Sequence, residues 1–171
     1  MTIALKPDIS KQINSAIWLQ VEDYYRDQID RIHIPDDPKP NDITQINAAL
    51  ERLYHEARLD YLYTQKAFDR VDRGYKMLKR ALWPIAKVGK NVEERDHLLQ
   101  DHLMNTPMDQ LPANAISNLG LPVLPVNIYL IYETYKERMD YMKAILDIIS
   151  DKTSRLITDS GAMKIESMLG H

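Results

Sequence analysis

The longest regular pattern in the chain lies near its C-terminus, between Ile128 and Leu156. Apolar side chains recur there at alternating steps of three and four residues, a spacing that puts them on one stripe of an α-helix. The stripe is narrow and continues for about four heptads, which is typical of a helix that pairs lengthwise with others. The pattern predicts a helix over residues 126–168, and Gly161 marks the point where it would break.

Two further segments have a helical period. An apolar stripe over residues 8–31 predicts a first helix with an acidic outer face. A longer stripe predicts a second helix from Asp42 to Trp83, which Pro84 would end. At about 1.5 Å per residue this helix would be roughly 60 Å long. We therefore expect either a kink near Gly74 or an elongated hairpin.

The segments between these helices are rich in proline. Residues 32–42 hold three prolines, which predict a stiff linker or a sharp corner. Residues 105–125 hold four and predict an irregular connection that reverses the chain. Before that connection, Asn91 and Glu94 have the spacing of a helix cap, which predicts a short helix ending at Met104.

These elements predict an all-α protein. We expect an elongated antiparallel helical hairpin of two long helices, with an additional N-terminal helix and a short connecting helix. Residues 1–40 would form the N-terminal helix and linker, and residues 41–171 the hairpin domain. The chain has no cysteine, which excludes disulfides and thiolate metal ligands. No segment has the pattern of a membrane span or a signal peptide, so we expect a cytoplasmic protein.

Two long helices cannot hide both apolar stripes along their whole length. Tyr- and Met-rich parts would stay exposed on a monomer, and self-association would cover them. The residues predicted to form the oligomer interface are Tyr132, Tyr135, Met139, Met142, Leu146 and Ile149. The alternative is that the same stripe forms the core of a monomeric bundle.

The net charge is −3, but residues 64–90 hold eight Lys and Arg against two Asp. Five of the cations fall within one third of the helix circumference, opposite an apolar stripe. Such a ridge can follow a phosphate backbone, and nearby Trp83 and Tyr75 could stack on bases. The residues predicted to bind nucleic acid are Lys66, Arg70, Arg73, Lys76, Arg80 and Trp83. The alternative is a solvated helix face that pairs with acidic residues of the first helix.

No motif for catalysis is present. The five glycines do not have the spacing of a phosphate loop, a dinucleotide fingerprint or a serine nucleophile turn. Glu94 and His97 have the spacing found in di-iron bundles, but the second such motif is missing. His55 is followed by Leu59 where a zincin needs histidine. We therefore predict a non-enzymatic protein with no metal, cofactor or catalytic residue.

The last predicted helix carries a run of particular residues: Tyr135, Met139, Tyr141, Ile145, Leu146, Ile149, Ser150, Lys152 and Thr153. With the basic helix and the irregular connection before it, this run resembles phage recombination mediators of the UvsY type. The resemblance covers residues 127–169 and, more loosely, residues 48–83.

The resemblance implies a ring-like homo-oligomer that binds single-stranded DNA and helps a recombinase displace single-strand-binding protein. Its DNA contacts would map onto Lys66, Arg70, Arg73, Lys76 and Arg80. Asp69 and Asp72 interrupt the basic run and so depart from the family pattern. An alternative function is that of a structural or adaptor protein, a virion or assembly component that acts only through protein interfaces. An enzyme, the third alternative, would require a bound metal or cofactor.

Overall fold

The computed structural model describes residues 15–36, 38–116 and 123–169. The α-helices in this part of the chain are α1 (Ser15–Arg31), α2 (Pro40–Leu82), α3 (Val92–Asn105), α4 (Ala113–Ile116) and α5 (Ile128–Leu169). Short 3₁₀ helices lie at Trp83–Val88 and Met108–Gln110. The described residues contain one isolated β-bridge and no strand. The prediction of an all-α protein is confirmed.

The helix ends follow the local sequence with three differences, the first of which is that α2 begins at Pro40, inside the predicted linker, because proline is tolerated in the first turn of a helix. α1 ends at Arg31 as predicted, whereas the predicted start at residue 8 lies outside the described residues. α2 ends at Leu82, and the chain continues through Pro84 as a 3₁₀ helix. The break expected at Gly161 is absent, because α5 continues to Leu169. One glycine costs a helix only about 1 kcal/mol, too little to end a long one.

The predicted cap of α3 is confirmed. The Oδ1 atom of Asn91 accepts a hydrogen bond from the backbone N–H of Glu94 at 2.8 Å. The Oε2 atom of Glu94 in turn accepts from the backbone N–H of Lys90 at 2.6 Å. Two amides that have no partner inside the helix are thereby satisfied, and the start of α3 is fixed.

The chain divides into two compact units, Met1–Tyr63 with Tyr141–His171, and Thr64–Asp140. We call them the first and second unit. This division differs from the predicted boundary at residue 40, because α1 packs with parts of α2 and α5 inside the first unit. α2 and α5 each contribute one part to each unit.

The core of the first unit is built from three helices. Its buried residues are Trp18, Val21, Tyr25 and Ile29 of α1, Leu50, Leu53 and Ala57 of α2, and Met142, Ile145, Leu146, Ile149 and Leu156 of α5. In α1 and α2 these positions follow steps of three and four. In α5, Met142, Ile145, Ile149 and Leu156 have the same spacing, with one position passed over before Leu156, and Leu146 lies beside Ile145, so each helix turns one stripe toward the others. The part of the α5 stripe from Met142 to Leu156 is thus covered by α1 and α2 of the same chain.

Two neighbouring tyrosines of α1 bind two carboxylates of α2. Tyr24 donates its hydroxyl to Oε1 of Glu56 at 2.7 Å, and Tyr25 donates to Oδ2 of buried Asp60. Burial and, after it, these hydrogen bonds raise the pKa of both phenols above their usual value. The two pairs satisfy polar groups inside an otherwise apolar contact, which avoids the cost of a buried unpaired group.

Lys152 of α5 stabilises the C-terminal end of α1. Its ammonium donates to the backbone oxygens of Ile29 at 2.8 Å and Ile32 at 2.9 Å. The last carbonyls of a helix have no partner within it, and a cation there also interacts favourably with the helix dipole. The Tyr141 hydroxyl donates to the carbonyl of Glu22 at 3.1 Å. α1 is therefore held to α5 by polar as well as apolar contacts.

The core of the second unit joins the end of α2 to α3, α4 and the start of α5. Its buried residues are Leu78, Leu82, Ala86, Leu99, Leu103, Met108, Leu111, Ala115 and Ile128. The turn into α3 leaves no room for a side chain at Gly89, where a Cβ atom would lie 2.8 Å from Cγ of Arg95 and 3.0 Å from its backbone nitrogen. This tight turn allows α3 to pack next to the end of α2.

The raised pKa of Tyr25 predicts a loss of stability in alkaline solution. The unfolded chain releases the phenol proton near the ordinary pKa of 10.0, whereas the folded protein retains it. The contribution is therefore complete below about pH 10 and declines above it. We expect Tyr25→Phe to lower the free energy of unfolding at about pH 8 by about 1–3 kcal/mol, because Asp60 loses a buried donor.

The same variant should lose less stability than the wild type between about pH 8 and about pH 11, as measured by urea unfolding. Tyr63→Phe is the matched control, since the Tyr63 side chain is 54% exposed, and it should follow the wild type. An alkaline decline of equal size in Tyr25→Phe and the wild type would contradict the assignment.

Candidate nucleic-acid interface

The five cations predicted to form a ridge lie on the last part of α2, in the second unit, and all are exposed. We call Lys66, Arg70, Arg73, Lys76 and Arg80 the basic ridge. Their steps of three and four place them along one side of the helix. The opposite side carries buried Val71, Leu78 and Leu82. Packing of these apolar residues therefore fixes the rotation of α2 that turns the ridge toward solvent.

The neighbouring acids neutralise the ridge only in part. Asp72 Oδ2 lies 2.7 Å from Lys76 Nζ, and this hydrogen bond raises the pKa of the Lys76 ammonium. Arg73 Nε instead donates to the backbone carbonyl of Asp69 at 3.2 Å. An exposed ion pair one helix turn apart is weak and readily exchanged for another anion. Lys76 therefore keeps its charge and remains available to a phosphate.

The three arginines of the ridge are exposed to solvent. Among the described residues, no carboxylate forms an ion pair with Arg70, Arg73 or Arg80. The predicted alternative, in which the basic face pairs with acids of the first helix, concerns residues of both units and stays a prediction. Within the first unit, acids of α1 pair with arginines of the same helix, Asp23 with Arg26 at 3.3 Å and Asp27 with Arg31 at 2.8 Å.

The ridge ends in a cleft of about 550 Å³. Its lining residues are Lys76, Lys79, Arg80, Trp83 and Asp96, and we call it the Trp83 cleft. Lys79 Nζ lies 3.1 Å from Oδ1 of Asp96 and 5.9 Å from the centroid of the Tyr75 ring. Lys79 is thus held by an acid and an aromatic face, whereas the ammonium of Lys76 and the guanidinium of Arg80 are exposed.

Trp83 and Tyr75 have different surroundings. Tyr75 stacks on Tyr132 with ring centroids 4.9 Å apart and lies 6.3 Å from the ring of Tyr129. Burial raises the pKa of its phenol. Tyr75 therefore takes part in the contact between α2 and the start of α5. Trp83 is half-buried, packs against the core of the second unit, and also lines the cleft.

The residues predicted as an oligomer interface do not form one exposed face. Tyr132, Tyr135 and Met139 are half-buried in the second unit. The other three, Met142, Leu146 and Ile149, are buried in the core of the first unit. The expectation that Met142 stays exposed on a monomer is wrong, because α1 packs over that stretch of α5. Self-association itself stays a prediction.

Glu94 and His97, which have the spacing of a di-iron motif, both lie on α3. Glu94 caps α3, and His97 is exposed. Within the described ranges, no group of three or more His, Asp or Glu side chains is placed to hold a metal ion. No helix in that part of the chain is long and apolar enough to cross a membrane.

Sequence reasoning missed the role of Asp96. It lies on α3, sixteen residues after Arg80 in the sequence, and no local pattern links it to the ridge. The contact with Lys79 exists because the turn at Gly89 returns the chain along the end of α2.

Comparisons with protein-family models, curated proteins and solved structures find no match to this chain.

The burial of Ile149 predicts that it contributes to folding. Ile149→Ala should lower the free energy of unfolding by about 2–5 kcal/mol, because it leaves a cavity in a packed core. Ile148→Ala is the matched control, since Ile148 is 43% exposed while Ile149 is fully buried; its loss should stay below about 1 kcal/mol. Urea unfolding at two protein concentrations checks this. An effect of Ile149→Ala that appears only at the lower concentration would indicate an interface between chains instead.

Proposed function

We propose that this chain binds single-stranded nucleic acid through the basic ridge and Trp83, and that it catalyses no reaction. The observation that carries the proposal is the line of five exposed cations on α2 leading to a cleft lined by tryptophan. From Lys66 to Arg80 the helix rises by about 21 Å, which is long enough to follow several phosphates of one strand.

A single strand fits this surface better than a duplex. The cations supply contacts to phosphate, which either form of nucleic acid offers. The tryptophan offers stacking, which requires an unpaired base, and proteins that bind single strands combine these two features.

The resemblance to mediators of the UvsY type extends this proposal to a biological role. On that basis the chain would act as an oligomeric accessory protein in phage recombination or repair, with a recombinase or a single-strand-binding protein as partner. The antiparallel hairpin of α2 and α5 belongs to the same proposal. Its support is that each unit contains apolar or aromatic contacts between these two helices, such as Tyr75 with Tyr132.

The proposal predicts that the affinity for single-stranded nucleic acid falls steeply as the salt concentration rises. For five phosphate contacts on a single strand, the slope of log K against log salt is about −3.5. The triple variant Arg70→Gln, Arg73→Gln, Arg80→Gln should reduce the size of that slope by about 2 and weaken binding at low salt by at least about tenfold. Fluorescence anisotropy with a labelled oligonucleotide measures both quantities.

The matched control removes three exposed cations from the first unit: Arg52→Gln, Arg58→Gln and Lys143→Gln. It changes the net charge by the same amount as the ridge variant. Equal losses in the two triple variants would show that net charge alone acts, and absence of binding by the wild type would exclude the proposed function.

A second candidate is an adaptor that acts through protein contacts. It is favoured by exposed apolar side chains on the 3₁₀ helix after α2 and on α3: Ile85 at 52%, Val88 at 81%, Val92 at 67% and Leu98 at 40% exposure. Several of them line a second cleft of about 270 Å³. Exposed apolar surface of this kind often marks a protein interface.

The adaptor candidate predicts self-association through this apolar surface and no affinity for nucleic acid. Light scattering should show a mass several times that of one chain, and Val88→Ser with Leu98→Ser should lower it toward the monomer. Arg58→Gln serves as a surface control. A monomeric wild type would contradict self-association at this surface, and an unchanged mass in the double variant would place the interface elsewhere.

A further inference from the structure

We propose that the Trp83 cleft is a subsite for one unpaired nucleotide, with the base stacked on Trp83 and its phosphate bound by Arg80 and Lys76. We further infer that Asp96 makes this subsite prefer bases that carry an amino group over thymine. The inference rests on the proposed function, because it assigns a task to one end of the same surface.

The phosphate has two suitable partners in the cleft. The Arg80 guanidinium is exposed and forms no ion pair with a carboxylate of the described residues. A guanidinium binds a phosphate through two parallel hydrogen bonds. Lys76 shares its ammonium with Asp72 through an exposed pair, which a phosphate can displace. Lys79 is engaged by Asp96 and by the face of Tyr75, so it contributes mainly to the positive electrostatic potential in the cleft.

The base has one aromatic surface available. Tyr75 is already stacked on Tyr132, which leaves Trp83 as the aromatic side chain that lines the cleft. Since Trp83 also packs against the core of the second unit, this contact restricts its side chain before a ligand arrives. A preorganised ring loses little side-chain entropy on binding. Stacking on tryptophan is open to every base and so gives affinity without selection.

The preference among bases comes from the carboxylate of Asp96. Oδ1 of Asp96 lies near Lys79, and the Asp96 side chain is 55% exposed in the cleft. A carboxylate is a pure acceptor, so it favours the amino group of cytosine, adenine or guanine. Where cytosine carries its amino group, thymine carries a carbonyl oxygen, which the carboxylate repels, so the N3–H of thymine is the one donor that this edge of the base can offer to Asp96. A cationic surface that binds all bases equally would have no carboxylate at this position.

The first measurement compares labelled oligo-dC and oligo-dT of equal length by anisotropy. We expect the wild type to bind oligo-dC at least about threefold more tightly. Asp96→Ala should bring this ratio close to one, mainly by improving binding of oligo-dT. Asp101→Ala is the matched control, since Asp101 is also an exposed carboxylate of α3 but lines the second cleft. It should preserve the preference.

The second measurement reports on Trp83 without altering it. The chain has two tryptophans, and Trp18→Phe removes the other one, which is buried in the core of the first unit. Circular dichroism verifies that this variant is folded. Oligo-dC should then quench the fluorescence of Trp83, with the same midpoint as the anisotropy titration.

Three results would overturn the inference: equal or reversed affinity for the two oligonucleotides, an unchanged preference in Asp96→Ala, or unaltered Trp83 fluorescence at saturation. If binding still depends on the arginines of the ridge in those cases, the proposed function stands and only the subsite is wrong. If neither oligonucleotide binds at low salt, both proposals are wrong.

Discussion

The burial of one apolar stripe on the last part of α2 is the constraint on which the candidate surface depends. Leu78 and Leu82 are almost completely buried against α3 and its neighbours. A helix that turns these positions inward must turn the basic ridge outward, because the two sets lie on opposite sides. Hydrophobic burial supplies the free energy, at about 25 cal/mol per Å² of apolar surface. The exposure of the cations is a geometric consequence of it.

In the first unit, packing of α1 turns the apolar stripe of α5 into part of a core within one chain. A long narrow stripe on α5 is typical of a seam between chains, but α1 and α2 of the same chain cover its central part. The C-terminal end of α1 is also joined to α5 by the two hydrogen bonds from Lys152. Such bonds to unpaired carbonyls at a helix end favour this arrangement over a less specific apolar contact.

The abundance of tyrosine has a similar explanation. Tyr24 and Tyr25 bury their rings while their hydroxyls bind Glu56 and Asp60. A phenylalanine would leave these carboxylates without that donor, and a charged residue could not bury comparable apolar area. In the second unit, Tyr75 uses its ring to contact α5. These tyrosines therefore serve mainly in packing between helices, whereas Trp83 lines the cleft beside the cations.

The sequence by itself determined the helical class, the approximate ends of α2 and α3, the cap at Asn91 and the line of cations on α2. These features depend on residues within one or two helix turns of each other, and local periodicity, proline and capping chemistry decide them. Only the tertiary structure decided that α1 covers Met142 and Ile149, that Tyr75 is engaged by Tyr132, and that Asp96 lies beside Lys79. Those contacts join residues distant in the chain, and their existence depends on which helices pack together, which no local pattern specifies.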